Sequence, residues 1–208
     1  QIGLLFTGLG SAMLGNLVYM PSWDRQIQNQ REKFETAISE MFLEIAEHLR
    51  DPNRVWSGSQ LIDAAEAVKT GKNFAKRSLD NALFQRDNEW ITYFLMRERQ
   101  LEIMQHMLTL VARVYEHMPH GQMVARLFDQ LSKDVKIDYY TGEAERQLKE
   151  LAEQFERMPL PATRKEFETR AVLLQLMHEI EQRAVALRQR SDLRRPIIHL
   201  DIDIRRPA

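Results

Sequence analysis

EWITYFLMRERQLEIMQHMLTLVARVYEHM, residues 89–118, decides the fold class. Phe94, Leu101, Met104, Leu108, Val111, Tyr115 and Met118 recur at intervals of three, four and seven, the spacing that gathers side chains on one helical face. A strand would need alternation, and none is present. The composition agrees: Leu, Met, Ala, Glu, Gln and Arg abound, aromatic residues make up 8 % of the chain, and Gly and Pro number 8 and 7.

Upstream, Ile27, Phe34, Ile38, Met41, Ile45 and Leu49 mark a long helix that Ser22 can cap and Asp51-Pro52-Asn53 stops. Ser57 with Gln60 resembles a capping box for a second helix. Its apolar face is Leu61, Ala65, Val68, Ala75, Leu79 and Leu83, weakened in the middle by Gly71. Asp87-Asn88 breaks or recaps the chain before the stretch quoted above. Downstream, Pro119-His120-Gly121 reads as a turn, followed by a shorter helix bearing Val124, Leu127, Phe128 and Leu131. Thr141-Gly142 punctuates again, and Leu148, Leu151 and Phe155 line the next segment. Pro159 and Pro161 make a rigid elbow. Thr163 with Glu166 forms a capping box for a last helix carrying Phe167, Leu174, Met177 and Ile180. The expected fold is all-α: an antiparallel bundle of five to six helices joined by short connections.

The first twenty residues do not fit a soluble bundle. From Ile2 to Ser22 no residue is charged. A helix of that length rises about 30 Å at ~1.5 Å per residue, enough for a hydrocarbon core. Gly3, Gly8, Gly10 and Gly15 suit close helix packing in lipid, and Tyr19 and Trp23 suit an interface. The alternative is a buried hairpin arm of a large soluble protein. The expected organisation is therefore a last transmembrane helix over 1–21, a cytoplasmic helical domain over 22–188, and a flexible Arg-rich tail over 189–208. Arg25, Arg31 and Lys33 just beyond the span point to the cytoplasmic side. A chain beginning Gln-Ile also reads as the end of a longer membrane protein.

Several chemistries are excluded. With no cysteine there are no disulfides, thiol nucleophiles or cysteine zinc sites. A net charge of −1 gives no general footing for nucleic acid. The balance is uneven: the end from Gln182 to Ala208 holds seven Arg and three Asp, a net of +4, which leaves −5 for residues 1–181. His117 and His120 straddle Pro119 instead of sharing a helical face, and His48, His106, His178 and His199 are scattered. No Gly-x-Ser-x-Gly elbow, phosphate loop or Gly-x-Gly-x-x-Gly fingerprint occurs. The sequence argues against an enzyme and implies neither metal nor cofactor.

The run Met96-Arg97-Glu98-Arg99-Gln100-Leu101 with Tyr93-Phe94, and above all Leu160-Pro161-Ala162-Thr163-Arg164-Lys165-Glu166-Phe167-Glu168-Thr169-Arg170-Ala171, resembles the C-terminal domain of bacterial putative aromatic acid exporters. The span ending Asn16-Leu17-Val18-Tyr19-Met20-Pro21 is similar to the end of that family's membrane part. The resemblance covers residues 1–182, with Trp90-Ile91 standing where relatives carry tyrosines. It implies a cytoplasmic accessory domain of a multi-pass cell-membrane transporter, with the upstream membrane domain and membrane lipid as partners and a homo-oligomeric assembly. No heptad seam in the sequence sets the number of subunits.

Two clusters are candidate functional residues. Trp90, Tyr93, Phe94 and Arg97 fall at helical spacing, so rings and a guanidinium could converge on an aromatic carboxylate. The same residues could be core aromatics, with Arg97 bound to a carboxylate such as Glu166 or Glu168. Thr163, Arg164, Glu166, Phe167, Glu168 and Arg170 form a motif expected to fix the proline elbow against a neighbouring helix. Met96, Met104, Met107, Met118 and Met123 read as pliable core, or as an adaptable partner surface. Arg188, Arg190, Arg194 and Arg195 could meet anionic lipid or belong to a solvated terminus. The alternative to a transporter's regulatory or assembly domain is a free-standing helical interaction module.

Overall fold

The computed structural model describes residues 23–80, 89–115, 117–137 and 141–193, with side-chain surroundings from 24 to 182. Among the described residues there are six helices and no strand. They are α1 (Trp23–Arg50), α2 (Ser59–Asp80), α3 (Glu89–Val111), α4 (Pro119–Asp134), α5 (Glu143–Glu156) and α6 (Arg164–Leu193). The fold is all-helical, as the periodicity implies. The expected span over 1–21, the Ser22 cap, Leu83 and the Asp87-Asn88 break lie outside the described residues. No described helix is long and apolar enough to cross a membrane.

α1 is the central helix, packed against α2 and α4, with a smaller contact on α3. Its buried stripe runs from Ile27 through Phe34, Ile38, Met41 and Ile45 to Leu49. It ends where the Asn53 amide donates to the Asp51 carboxylate at 3.1 Å, an Asx turn made possible by Pro52 leaving the helix. Gly58, at φ 72°, then turns the chain into α2. The expected α2 face is corrected. Ala65 is exposed, and the buried positions are Ala64, Ala67, Val68, Gly71 and Ala75. Small residues let α2 lie close to α1 and α3, so the tightest approach decides the inward face.

Two boundaries also differ from expectation. α3 stops at Val111, leaving Tyr115 exposed. Past Val111 the Arg113 and Val114 amides bond back only three residues, to the Leu110 and Val111 carbonyls, so the last turn tightens and the helix ends; further on, Pro119 disfavours helical backbone at Met118, which is extended at φ −135°, ψ 148°. Pro119-His120-Gly121 is therefore the first turn of α4, with proline at a position where no amide donor is needed. Gly121 is buried there. A Cβ on it would stand 2.8 Å from the Leu49 carbonyl oxygen, so α4 starts directly against the end of α1.

The Ser39 hydroxyl donates to the Ser132 carbonyl at 2.8 Å, which with the Gly121–Leu49 approach makes α4 antiparallel to α1. α6 begins beside α4 and passes α3 where His106 Nε2 lies 3.5 Å from Glu179. It therefore runs back toward the end of the bundle where α1 and α3 begin. Its helix continues to Leu193, past the expected start of the tail at 189. Its inward stripe is Thr169, Val172, Leu173, Leu176, Met177 and Ile180, whereas Phe167 and Leu174, expected on that face, are 62 % and 48 % exposed.

Candidate functional site

At the end of the bundle where α1 and α3 start, a separate apolar cluster is built from Ile27, Ala75, Tyr93 and Phe94, with Phe74, Trp90 and Ile91 packed against it. Phe94 is fully buried, edge-on to Tyr93 at 5.0 Å between centroids. Trp90 meets Tyr93 edge-on at 5.7 Å. Phe94 lies on the backbone of α2: a Cβ on Gly71 would fall 2.2 Å from two of its ring carbons. The glycine that weakens α2 as a helix makes room for this ring.

A charged layer borders the cluster. Glu35 on α1 accepts from Arg31 Nε at 2.8 Å and from the Tyr93 hydroxyl at 3.2 Å. Arg97 on α3 lies 4.6 Å from the Tyr93 ring centre and 5.5 Å from that of Phe34. Its Nη1 donates to Gln100 Oε1 at 2.7 Å, while Nη2 is 3.9 Å from Glu35. Arg97 Nε is buried and has no hydrogen-bond partner. Burial pushes the Tyr93 hydroxyl above its ordinary range; the nearby Arg97 charge opposes this and Glu35 adds to it. The phenol stays protonated and serves as a donor to Glu35.

Trp90, Tyr93, Phe94 and Arg97 are thus brought together. The carboxylate beside Arg97 is Glu35, not Glu166 or Glu168, which pair with Arg170 and Arg164 respectively. Sequence reading misses Glu35 because its partners on α3 lie far along the chain, at positions 93 and 97. The only local signal is Arg31, four residues before it.

The Leu160–Ala171 motif sits at the opposite end. The Glu166 amide donates to Thr163 Oγ1 at 3.1 Å, and Glu166 accepts from the Ala162 amide at 2.9 Å. Arg170, one turn later and largely buried, donates to the Pro159 carbonyl at 2.6 Å and pairs with Glu166. The Ala162 amide is the main reason the Glu166 carboxyl is held below its usual range, with Arg170 acting in the same direction. Arg164 and Glu168 pair on the surface at 2.8 Å, and Phe167 faces solvent. His120 of α4 meets Phe155 of α5 edge-on at 5.8 Å. Burial and the Arg170 charge lower its pKa, partly offset by Glu166. Among the described residues, no group of three His, Cys, Asp or Glu converges as a metal site would require.

Residues 24–183 match the family described as putative aromatic acid exporter C-terminal domain. The chain is 35 % identical over 182 residues to the uncharacterized protein YqjA of Bacillus subtilis (strain 168), covering 88 % of this chain and 56 % of that protein. It therefore spans little more than half the length of that relative. A crystal structure of a putative membrane protein from Clostridium difficile 630 has the same fold, with a TM-score of 0.68 at 19 % identity, covering 80 % of this chain and 99 % of that one.

Proposed function

The chain belongs to the putative aromatic acid exporter C-terminal domain family, and from that membership we propose that it is the non-enzymatic accessory domain of a multi-pass membrane exporter, held on the cytoplasmic side and acting through helix packing. The observation that carries this reading is the tie between α1 and α3. α1 follows directly on the uncharged stretch, and Glu35, in its first half, joins it to Tyr93 and Arg97 of α3. A displacement of α1 would alter this contact. The test is efflux of hydroxybenzoate-type acids from cells carrying the whole exporter. Arg97→Ala should reduce efflux while membrane abundance stays constant; unchanged efflux would overturn the reading.

A second reading, sensing of an aromatic carboxylate, is favoured by the Arg97 guanidinium. Its Nε is buried without a partner, a state that costs about 1–3 kcal/mol and that a ligand oxygen would relieve once the guanidinium moved to expose it. Calorimetry with hydroxybenzoate-type acids should give saturable heat that disappears in Arg97→Ala. Absence of such heat in the unaltered chain removes the sensing role and leaves the packing role to the efflux test.

A further inference from the structure

The outward face of α6 carries Arg164, Phe167, Ala171, Leu174, His178 and Glu181, spaced alternately three and four residues apart. That is the seam spacing of a two-stranded coiled coil, so the expectation that the chain carries no heptad seam is corrected on this face. All six are exposed. Phe167 and Leu174 are 62 % and 48 % exposed, and the nearby elbow residue Leu160 is 91 % exposed. The seam reads as basic, apolar, small, apolar, titratable and acidic from end to end.

This order is self-complementary. In an antiparallel pair with a twofold axis midway between Ala171 and Leu174, Arg164 of one copy meets Glu181 of the other, and the reverse, while Ala171 meets Leu174 and Phe167 meets His178. Ala171 at the centre permits close approach of the two helices. Arg164 pairs with the exposed Glu168, a contact of a kind worth little, so a second carboxylate can engage it at small cost. A parallel pair would instead place Arg164 against Arg164 and Glu181 against Glu181. We propose that α6 is an isologous docking surface for a second copy of this chain, paired antiparallel through this seam. The proposal stands on the face itself and does not rest on the exporter reading.

The test is sedimentation equilibrium of the full chain in a nonionic detergent. The unaltered chain should associate reversibly, and Leu174→Glu, an exposed change that leaves the core intact, should abolish association with an unchanged helical melt. Arg164→Glu and Glu181→Arg should each weaken association by about fivefold, and the double variant should restore it. Because the chain has no native cysteine, a mixture of Ala171→Cys and Leu174→Cys chains should cross-link to each other in preference to themselves. A chain that stays monomeric at submillimolar concentration overturns the proposal. So does association indifferent to these α6 variants, which would place the contact elsewhere.

Discussion

Replacing Gly71 by Ala tests the packing at the aromatic end of the bundle. In an ordinary exposed helix the change would stabilise by about 1 kcal/mol, because glycine is the poorer helix former. Here the added methyl would stand 2.2 Å from two carbons of the Phe94 ring, against the ~3.5–4.0 Å of a normal carbon contact. The ring has little room to retreat, since it is fully buried and Tyr93 abuts it at 5.0 Å. Overpacking of this kind costs about 1–3 kcal/mol, and a clash this deep belongs at the upper end. The net expectation is a loss of about 2 kcal/mol, or roughly 4–8 °C in melting temperature for a domain of this size. Thermal melts followed by circular dichroism would read it, with Lys69→Ala, exposed on the same helix, as the control. Phe94→Leu should recover part of the loss in the Gly71→Ala background while destabilising the unaltered chain. A Gly71→Ala protein that melts at or above the parent would refute the close approach of α2 and α3 at this ring.

Arg170→Ala should lower stability by about 2 kcal/mol, since it removes charge-assisted bonds to Pro159 and Glu166 from a largely buried guanidinium; an unchanged melt would remove Arg170 from the elbow's support. The pKa of His120 is lowered on folding, so between its folded value and the ordinary ~6.5 the unfolded chain binds more protons and stability rises with pH. The contribution is complete above ~6.5 and declines as pH falls below it. His120→Asn should flatten that part of the melting-temperature profile, and an identical slope in both proteins would refute the assignment.

Elements whose signal is local are legible in the sequence. The stripe of α1 is regular enough to read directly, and the Thr163–Glu166 cap is written within four residues. The end of α3 is not legible in the same way, because hydrophobic spacing persists to Met118 although the backbone tightens just after Val111, where the Arg113 and Val114 amides bond back only three residues. The inward face of α2 depends on how near two other helices come, which alanine and glycine positions permit but do not announce. The Glu35 partnership and the α6 seam are harder still. One joins residues far apart in the chain, and the other shows only when Phe167 and Leu174 are found facing outward.

The Glu35 contact also constrains how sensing would operate. Glu35 Oε1 is bound to Arg31 at 2.8 Å and to the Tyr93 hydroxyl at 3.2 Å, whereas Arg97 stands off at 3.9 Å. An incoming carboxylate would therefore engage Arg97 without displacing Glu35 from its nearer partners. The rings restrict the approach, because Phe94 is already covered by Gly71 and Tyr93, leaving Trp90 as the less buried of the three. A ligand ring would have to enter at Trp90 and move it. A ligand shifts a conformational equilibrium only by its differential affinity for the two states. In this geometry that difference would come from what Arg97 gains and from what Trp90 loses in its edge-on contact with Tyr93. Trp90→Ala should then loosen the coupling between ligand and bundle more than it weakens binding itself, whereas Arg97→Ala should abolish both together. Calorimetry read beside the ligand-dependent shift in melting temperature separates the two, and a Trp90→Ala protein that loses binding as completely as Arg97→Ala would refute this division of roles.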